Sequence, residues 1–335
     1  MNDSTPGSGA PVETPDEGLI RLFIGDQLNR IADGQCPARR ATFFKAHGAA
    51  HGTFAVLPHL RDDLRVGVFA HDGFTAWVRF SSDTGPVTPD ENQTCGLGIK
   101  LFGVPGRKVV DPDATTQDFV LQNYPIFFVD DVQAMYEASE HPDAYFAAHP
   151  QANAIVNAMS HDVASVVRVP YWSALASRFG DGRYVKYKLV PGDNGGEAIT
   201  VDHGYRDYLS GDLRWRLLQG DVTFTFCVQF QTDERTMPID RATVEWDEQI
   251  SPPIAVATLT LRRQDIDTLG QAPYAENLTF SPWHTLPEHE PVGSIQAARR
   301  AVYPVSAAVR HWANGVALIE PHDPQPVSSP YPFPI

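Results

Sequence analysis

Tyr303 stands in the run Arg299-Arg300-Ala301-Val302-Tyr303-Pro304, and Arg310 follows seven residues later. Residues four and seven apart share one face of a helix. That face would carry a guanidinium, a phenol and a second guanidinium, in a chain of formal net charge −15. Nearby positive charge and hydrogen bonds favour the anionic form of a phenol. A phenolate is a hard anionic ligand suited to ferric iron. The plain alternative is a tyrosine at a kinked helix start whose arginines snorkel to solvent.

Other chemistry is thinly marked. No Walker loop, GxGxxG, GxSxG or HExxH motif is present. His47-Gly48-Ala49-Ala50-His51 has the i,i+4 spacing of metal ligands, but its glycine and β-like sequel argue against the helix a zinc site needs. His284 and His289 fall in a proline-interrupted loop, and the carboxylates form no evident acid/base pair. What remains is Arg40, His47, Arg79 and Asn123, together with the Arg299/Tyr303/Arg310 face. Singly, each has an ordinary explanation: a solvated charge, a core histidine, a strand residue facing water, a turn before proline.

The elements that must position these residues read as follows. Apolar spacing over 17–32 predicts an amphipathic helix. Alternation and β-branched content predict strands over 52–57, 64–70, 75–81, 97–102 and 117–121. A helical stretch over 132–159 is broken near His149-Pro150. Strands at 184–190 and 198–201 precede a short helix over 205–219, long strands at 223–231 and 254–261, and a terminal helix over 294–314 interrupted by Pro304. Strands come in runs without βαβ alternation, so the expected class is α+β, a closed antiparallel β-barrel with surrounding helices.

With 335 residues, 42% of them apolar, the chain can bury a large core, and one domain over 17–320 is expected. Residues 1–16 read as a disordered acidic lead-in without signal-peptide character, and 321–335 as an extended proline-rich tail. No apolar run approaches membrane-spanning length. Three scattered cysteines, Cys36, Cys95 and Cys227, suggest a reducing, cytoplasmic setting rather than a disulfide framework. The acidic balance argues against nucleic acid and anionic membranes as partners. An anionic cofactor would therefore need a local cluster of arginines.

Five segments in order resemble the haem catalase superfamily, in its small catalase-related peroxidase branch. They are Arg40-x-x-Phe43-x-Lys45-x-His47-Gly48 running to Gly52-Thr53-Phe54, Trp77-Val78-Arg79-Phe80-Ser81-Ser82, Gly96-Leu97-Gly98-Ile99-Lys100-Leu101-Phe102, Gln117 to Phe128 ending Asn123-Tyr124-Pro125-Ile126-Phe127-Phe128, and Arg299-x-x-x-Tyr303-Pro304 with Arg310. The resemblance spans about 40–315. It implies haem b with Tyr303 as the iron ligand and Arg299 holding it as phenolate. It also implies Arg40, Arg79 and Arg310 toward the haem propionates or the ligand, Asn123 polarising a bound peroxide, and Phe54 and Phe127 as pocket walls.

Two departures shape the expectation. The family's distal histidine lies three residues after the first arginine, where this chain has Phe43. His47 would have to substitute as general base, its ring held by Ser81. The distal amide is Gln122 by the count of large catalases and Asn123 by that of the small branch; Asn123 is preferred. The chain also lacks the long N-terminal arm and C-terminal domain of full-length catalases. The resemblance thus implies a cytoplasmic oxidoreductase of the oxidative stress response. It would be a haem peroxidase using hydrogen peroxide, organic hydroperoxides and a small reducing co-substrate, as a monomer or homo-oligomer. Rival readings are a fatty-acid hydroperoxide-converting enzyme of allene oxide synthase or lyase type, and a non-catalytic haem-binding protein.

Overall fold

The computed structural model describes residues 13–194 and 205–325. Helix α1 (Pro15–Ala32) opens on a capping box in which Thr14 and Glu17 satisfy each other's backbone N–H groups. It begins inside the stretch read as a lead-in, because Thr14 caps it and Pro15 suits a first-turn position. Four strands follow: β1 (Lys45–Val56), β2 (Gly73–Ser82), β3 (Cys95–Phe102) and β4 (Thr116–Gln122). Then come α2 (Val132–Glu140), α3 (Pro142–Ala148) and α4 (Pro150–Met159). Short strands β5 (Tyr171–Trp172) and β6 (Ser177–Arg178) lead to β7 (Tyr184–Pro191), α5 (Tyr208–Gln219), β8 (Val222–Phe230) and β9 (Ile254–Leu261). The described chain ends with α6 (Gln271–Asn277) and α7 (Ser294–Ala313).

The strands pair antiparallel in the order β5-β4-β3-β2-β1-β9-β8-β7-β6, and a further β5–β7 pairing closes the barrel. Closure removes the exposed edges of an open sheet. Alternation then sorts each strand into an inner and an outer face. Inside lie Ala50, Phe54, Val78, Phe80, Leu97, Ile99, Phe119, Leu121 and Phe226, in one buried cluster. The Phe54, Phe119 and Phe226 rings meet at 4.8–6.2 Å between centroids. Each such side chain contributes about 1.5–3 kcal/mol by leaving water.

Several expectations change. Residues 64–70 are not a strand; two 3-10 turns, Asp62–Leu64 and Gly67–Ala70, tuck Leu64, Val68 and Phe69 into the core. A short apolar run cannot by itself distinguish a buried strand from a buried turn, and Gly67 adopts φ +53. The 132–159 stretch is three helices, since His141-Pro142 starts a new helix as His149-Pro150 does. Pro304 lies within α7 without ending it. Its side is exposed, so water can reach the carbonyl that loses its donor. The strand expected at 198–201 and residues 326–335 of the tail lie outside the described residues. No helix among the described residues is long and apolar enough to cross a membrane.

Candidate functional site

The Arg299/Tyr303 spacing closes as expected on α7. Arg299 donates from Nε (3.2 Å) and Nη2 (2.6 Å) to Tyr303 Oη, and its Nη1 is anchored on Gln296 Oε1 at 3.0 Å. Two guanidinium donors on one phenol oxygen stabilise negative charge there.

Arg40, Arg79 and Arg310 meet around a carboxylate that the sequence reading missed. Glu276, at the end of α6 and 6% exposed, accepts from Arg39 Nη1 (2.8 Å) and Arg40 Nη1 (2.9 Å), with Arg79 Nη2 at 3.9 Å. Arg40 Nη2 donates to the Leu278 carbonyl at 2.5 Å, and Arg310 Nη2 to the same oxygen at 3.2 Å. Burial would raise the Glu276 pKa, but Arg40, Arg79, Arg39 and Arg310 outweigh it and bring it to about 2. Burial and the neighbouring Arg40 push Arg79 down to about 9. Tyr303 lies near enough to contribute electrostatically to Arg40. Nothing local marks Glu276 in the sequence; a lone glutamate in the last turn of a short helix is ordinary.

Arg79 Nε and Nη2 and Arg310 Nε are buried without a hydrogen-bond partner. Unmatched buried donors are costly, and these three fit the oxygens of an anionic group. On β3, Gly96 and Gly98 face the outer side, where a β-carbon would fall 2.5 Å from the Phe43 ring and 2.8 Å from the Phe280 ring. Two aromatic rings therefore pack directly against glycine backbone beside the arginines. The Arg40 guanidinium stands 5.7 Å over Phe280. A phenol oxygen held by a guanidinium, buried cations and neighbouring aromatic rings together suit haem.

The distal set is only partly as expected. Phe43, which stands where the sequence resemblance would expect a histidine, adopts φ +50, and Arg79 Nη1 holds its carbonyl at 3.1 Å. Ser81 Oγ donates to the Gly96 carbonyl (3.4 Å) and does not hold His47. His47 is the extra residue where the β1–β2 register shifts between Ala46 and Gly48. Its ring is buried with neither nitrogen hydrogen-bonded, and Nδ1 lies 3.7 Å from Asp90 Oδ1. Burial, then Lys45 and Arg79, pull its pKa to about 3, so it is a neutral, weak base.

Asn123 is 6% exposed, its Oδ1 accepting from Cys95 N–H at 2.8 Å. The His161 Nδ1–H donates to the Met159 carbonyl (2.9 Å), an assignment from the hydrogen-bond network that leaves Nε2 to accept from Asn123 Nδ2 at 3.4 Å. His161, in a loop and without motif spacing, gave no sequence signal. Gln122 instead braces its own turn through Tyr124 and Ile126 carbonyls.

The two wall phenylalanines are not brought to this face. Phe54 points into the barrel core at 0% exposure, on the opposite side of the sheet from Arg79. Phe127 packs with Val129, Leu175, Ala242 and Ile295, against the start of α7. Asp118, His284 and Glu320 lie with metal-like proximity. Lys100 bonds both carboxylates, so its ammonium already supplies the cation.

No protein-family model and no curated protein matches the chain. Among solved structures it is similar to a fungal catalase (TM-score 0.63, 19% identity, 86% of this chain and 62% of that one). It is also similar to catalase A from Saccharomyces cerevisiae (TM-score 0.63, 18% identity, 94% and 70%). A bacterial catalase gives TM-score 0.64 at 15% identity, over 100% of this chain and 70% of that one. The chain thus spans 62% to 70% of the length of these catalases. At such identity the likeness establishes the fold, a closed antiparallel β-barrel of catalase type with surrounding helices.

Proposed function

We propose that the chain is a haem-dependent, catalase-related oxidoreductase that acts as a peroxidase on hydrogen peroxide and organic hydroperoxides, with a small reducing co-substrate. The observation that carries this reading is the Arg299–Tyr303 pair, a phenol oxygen receiving two guanidinium donors. Bound, haem would supply the iron that activates a peroxide O–O bond. Tyr303 would hold that iron and Arg299 would keep the ligand oxygen anionic. Arg79 and Arg310 would meet the carboxylates of the group with their unpartnered donors, Arg40 being held beside them on Glu276, and Phe280 and Phe43 would meet its flat face. Asn123 retains one N–H not directed at His161, with which it would orient a peroxide.

Phe43 accepts no proton, and His47 with its pKa near 3 is a poor acceptor at neutral pH. Moving a proton between peroxide oxygens is therefore the weak step, and slow dioxygen release is expected beside faster donor oxidation. The test is the absorption spectrum of haem-loaded protein beside Tyr303→Phe. A high-spin ferric, phenolate-type spectrum lost in the variant supports the assignment; a spectrum indifferent to Tyr303 defeats it. Dioxygen release far outpacing donor oxidation would defeat the peroxidase assignment.

Phe43 over Gly96 also favours a second reading, in which an apolar wall receives a lipid hydroperoxide and rearranges it without reductant. Product analysis with a fatty-acid hydroperoxide and no donor separates the two. A haem carrier needs the ligand and no base, and would show neither activity.

A further inference from the structure

Four guanidiniums, those of Arg39, Arg40, Arg79 and Arg310, surround the single carboxylate of Glu276. Both of its oxygens are taken, Oε1 by Arg40 and Oε2 by Arg39. Neighbouring α6-end carbonyls hold the same cations, Ala275 O accepting from Arg40 (3.4 Å) and Leu278 O from Arg40 and Arg310. Helix-end carbonyls carry partial negative charge, which favours cations but does not neutralise them. Three positive charges therefore stay in excess, and the donors left over belong to Arg79 and Arg310.

We infer that Glu276 is a built-in counter-anion that keeps this arginine cluster assembled and aims its remaining donors at the carboxylates of an incoming dianionic cofactor. The identity of that cofactor rests on the haem reading above; the electrostatic role of Glu276 does not. Buried like charges repel strongly at low dielectric, so four guanidiniums without an internal anion would splay or draw in water. With Glu276 present, Arg39 and Arg40 are committed to it, and the two carboxylates of a porphyrin would take the unpartnered Arg79 and Arg310 donors. Glu276 is thus a positioning residue. Its loss should make the protein depend on the cofactor's carboxylates for stability.

The experiment compares thermal unfolding of wild type, Glu276→Gln and Arg39→Gln/Glu276→Gln, each haem-free and with haem. Haem dimethyl ester, whose carboxylates are masked, serves as the control ligand. Glu276→Gln should lower the haem-free Tm by roughly 5–10 °C, as losing one partner of a buried ion pair does. The double variant returns the net charge excess to that of wild type and should recover most of the loss. Haem should raise the Tm of Glu276→Gln more than that of wild type, and the ester should not. An unchanged haem-free Tm, no recovery in the double variant, or equal gains from haem and ester would overturn the inference. If Glu276→Gln does not fold, the double variant decides: a cooperative transition supports the charge role, and none overturns it. A wild type that takes up no haem would end the haem reading and leave the haem-free comparison standing.

Discussion

At Phe43 the backbone is left-handed, φ +50, a conformation that costs a bulky side chain energy and that His adopts more readily than Phe. Phe43→His should therefore be tolerated and place an imidazole over Gly96. Hydrogen peroxide turnover is expected to rise about 10²–10⁴-fold, the usual worth of a positioned acid–base group, as read by dioxygen evolution. The buried histidines make a second prediction. His47 and His289 have folded pKa values of about 3 against 6.5 in the unfolded chain, chiefly from burial. Their stabilising effect is whole above pH 6.5. As pH falls toward 3, the unfolded chain binds protons that the native state refuses, costing about 1.4 kcal/mol per unit per histidine. Glu276 and Glu320, held near 2, add their loss only below about 4.5. Urea unfolding of His47→Gln between pH 6.5 and 4.5 should show a pH slope shallower by about one proton; an unchanged slope would sink the assignment.

Strand β3 works as an element because two of its outward residues have no side chain. Gly96→Ala and Gly98→Ala would drive a methyl into the Phe43 and Phe280 rings. Overpacking of this kind costs about 1–3 kcal/mol, and both variants should unfold at lower urea than wild type. Gly25 in α1 is the contrast, since nothing lies within 4 Å of its β-carbon position. Gly25→Ala should stabilise by about 0.5–1 kcal/mol through helix propensity alone. Opposite signs in one assay would separate a glycine required by a close neighbour from one that merely weakens a helix.

Across the whole molecule, net charge and local charge oppose each other. If the proposed haem binds, a chain of −15 holds an arginine cluster for an anionic ligand that its overall field repels. Raising salt from about 10 to about 150 mM shortens the Debye length from about 30 to about 8 Å and screens that long-range repulsion. Association of haem should therefore speed up with salt over this range in stopped flow, whereas an electrostatically steered ligand would slow down.

What the sequence determined by itself was whatever depends on near neighbours. The acidic balance, the strands from 75 to 121 and 254 to 261, and the Arg299/Tyr303 contact follow from alternation or from one helical turn, and all are visible within a few residues. Where the pattern was ambiguous, at 64–70 and around Pro142, only packing resolved it. The tertiary structure alone decided which way Phe54 faces, because pairing opposite Phe74 of β2 and Leu259 of β9 fixes which alternate residues of β1 point inward. It alone brought Glu276 to Arg39, Arg40, Arg79 and Arg310, and His161 to Asn123. Those meetings join residues tens to hundreds of positions apart. No local spacing encodes them, since they exist only once the barrel closes and its outer face is covered.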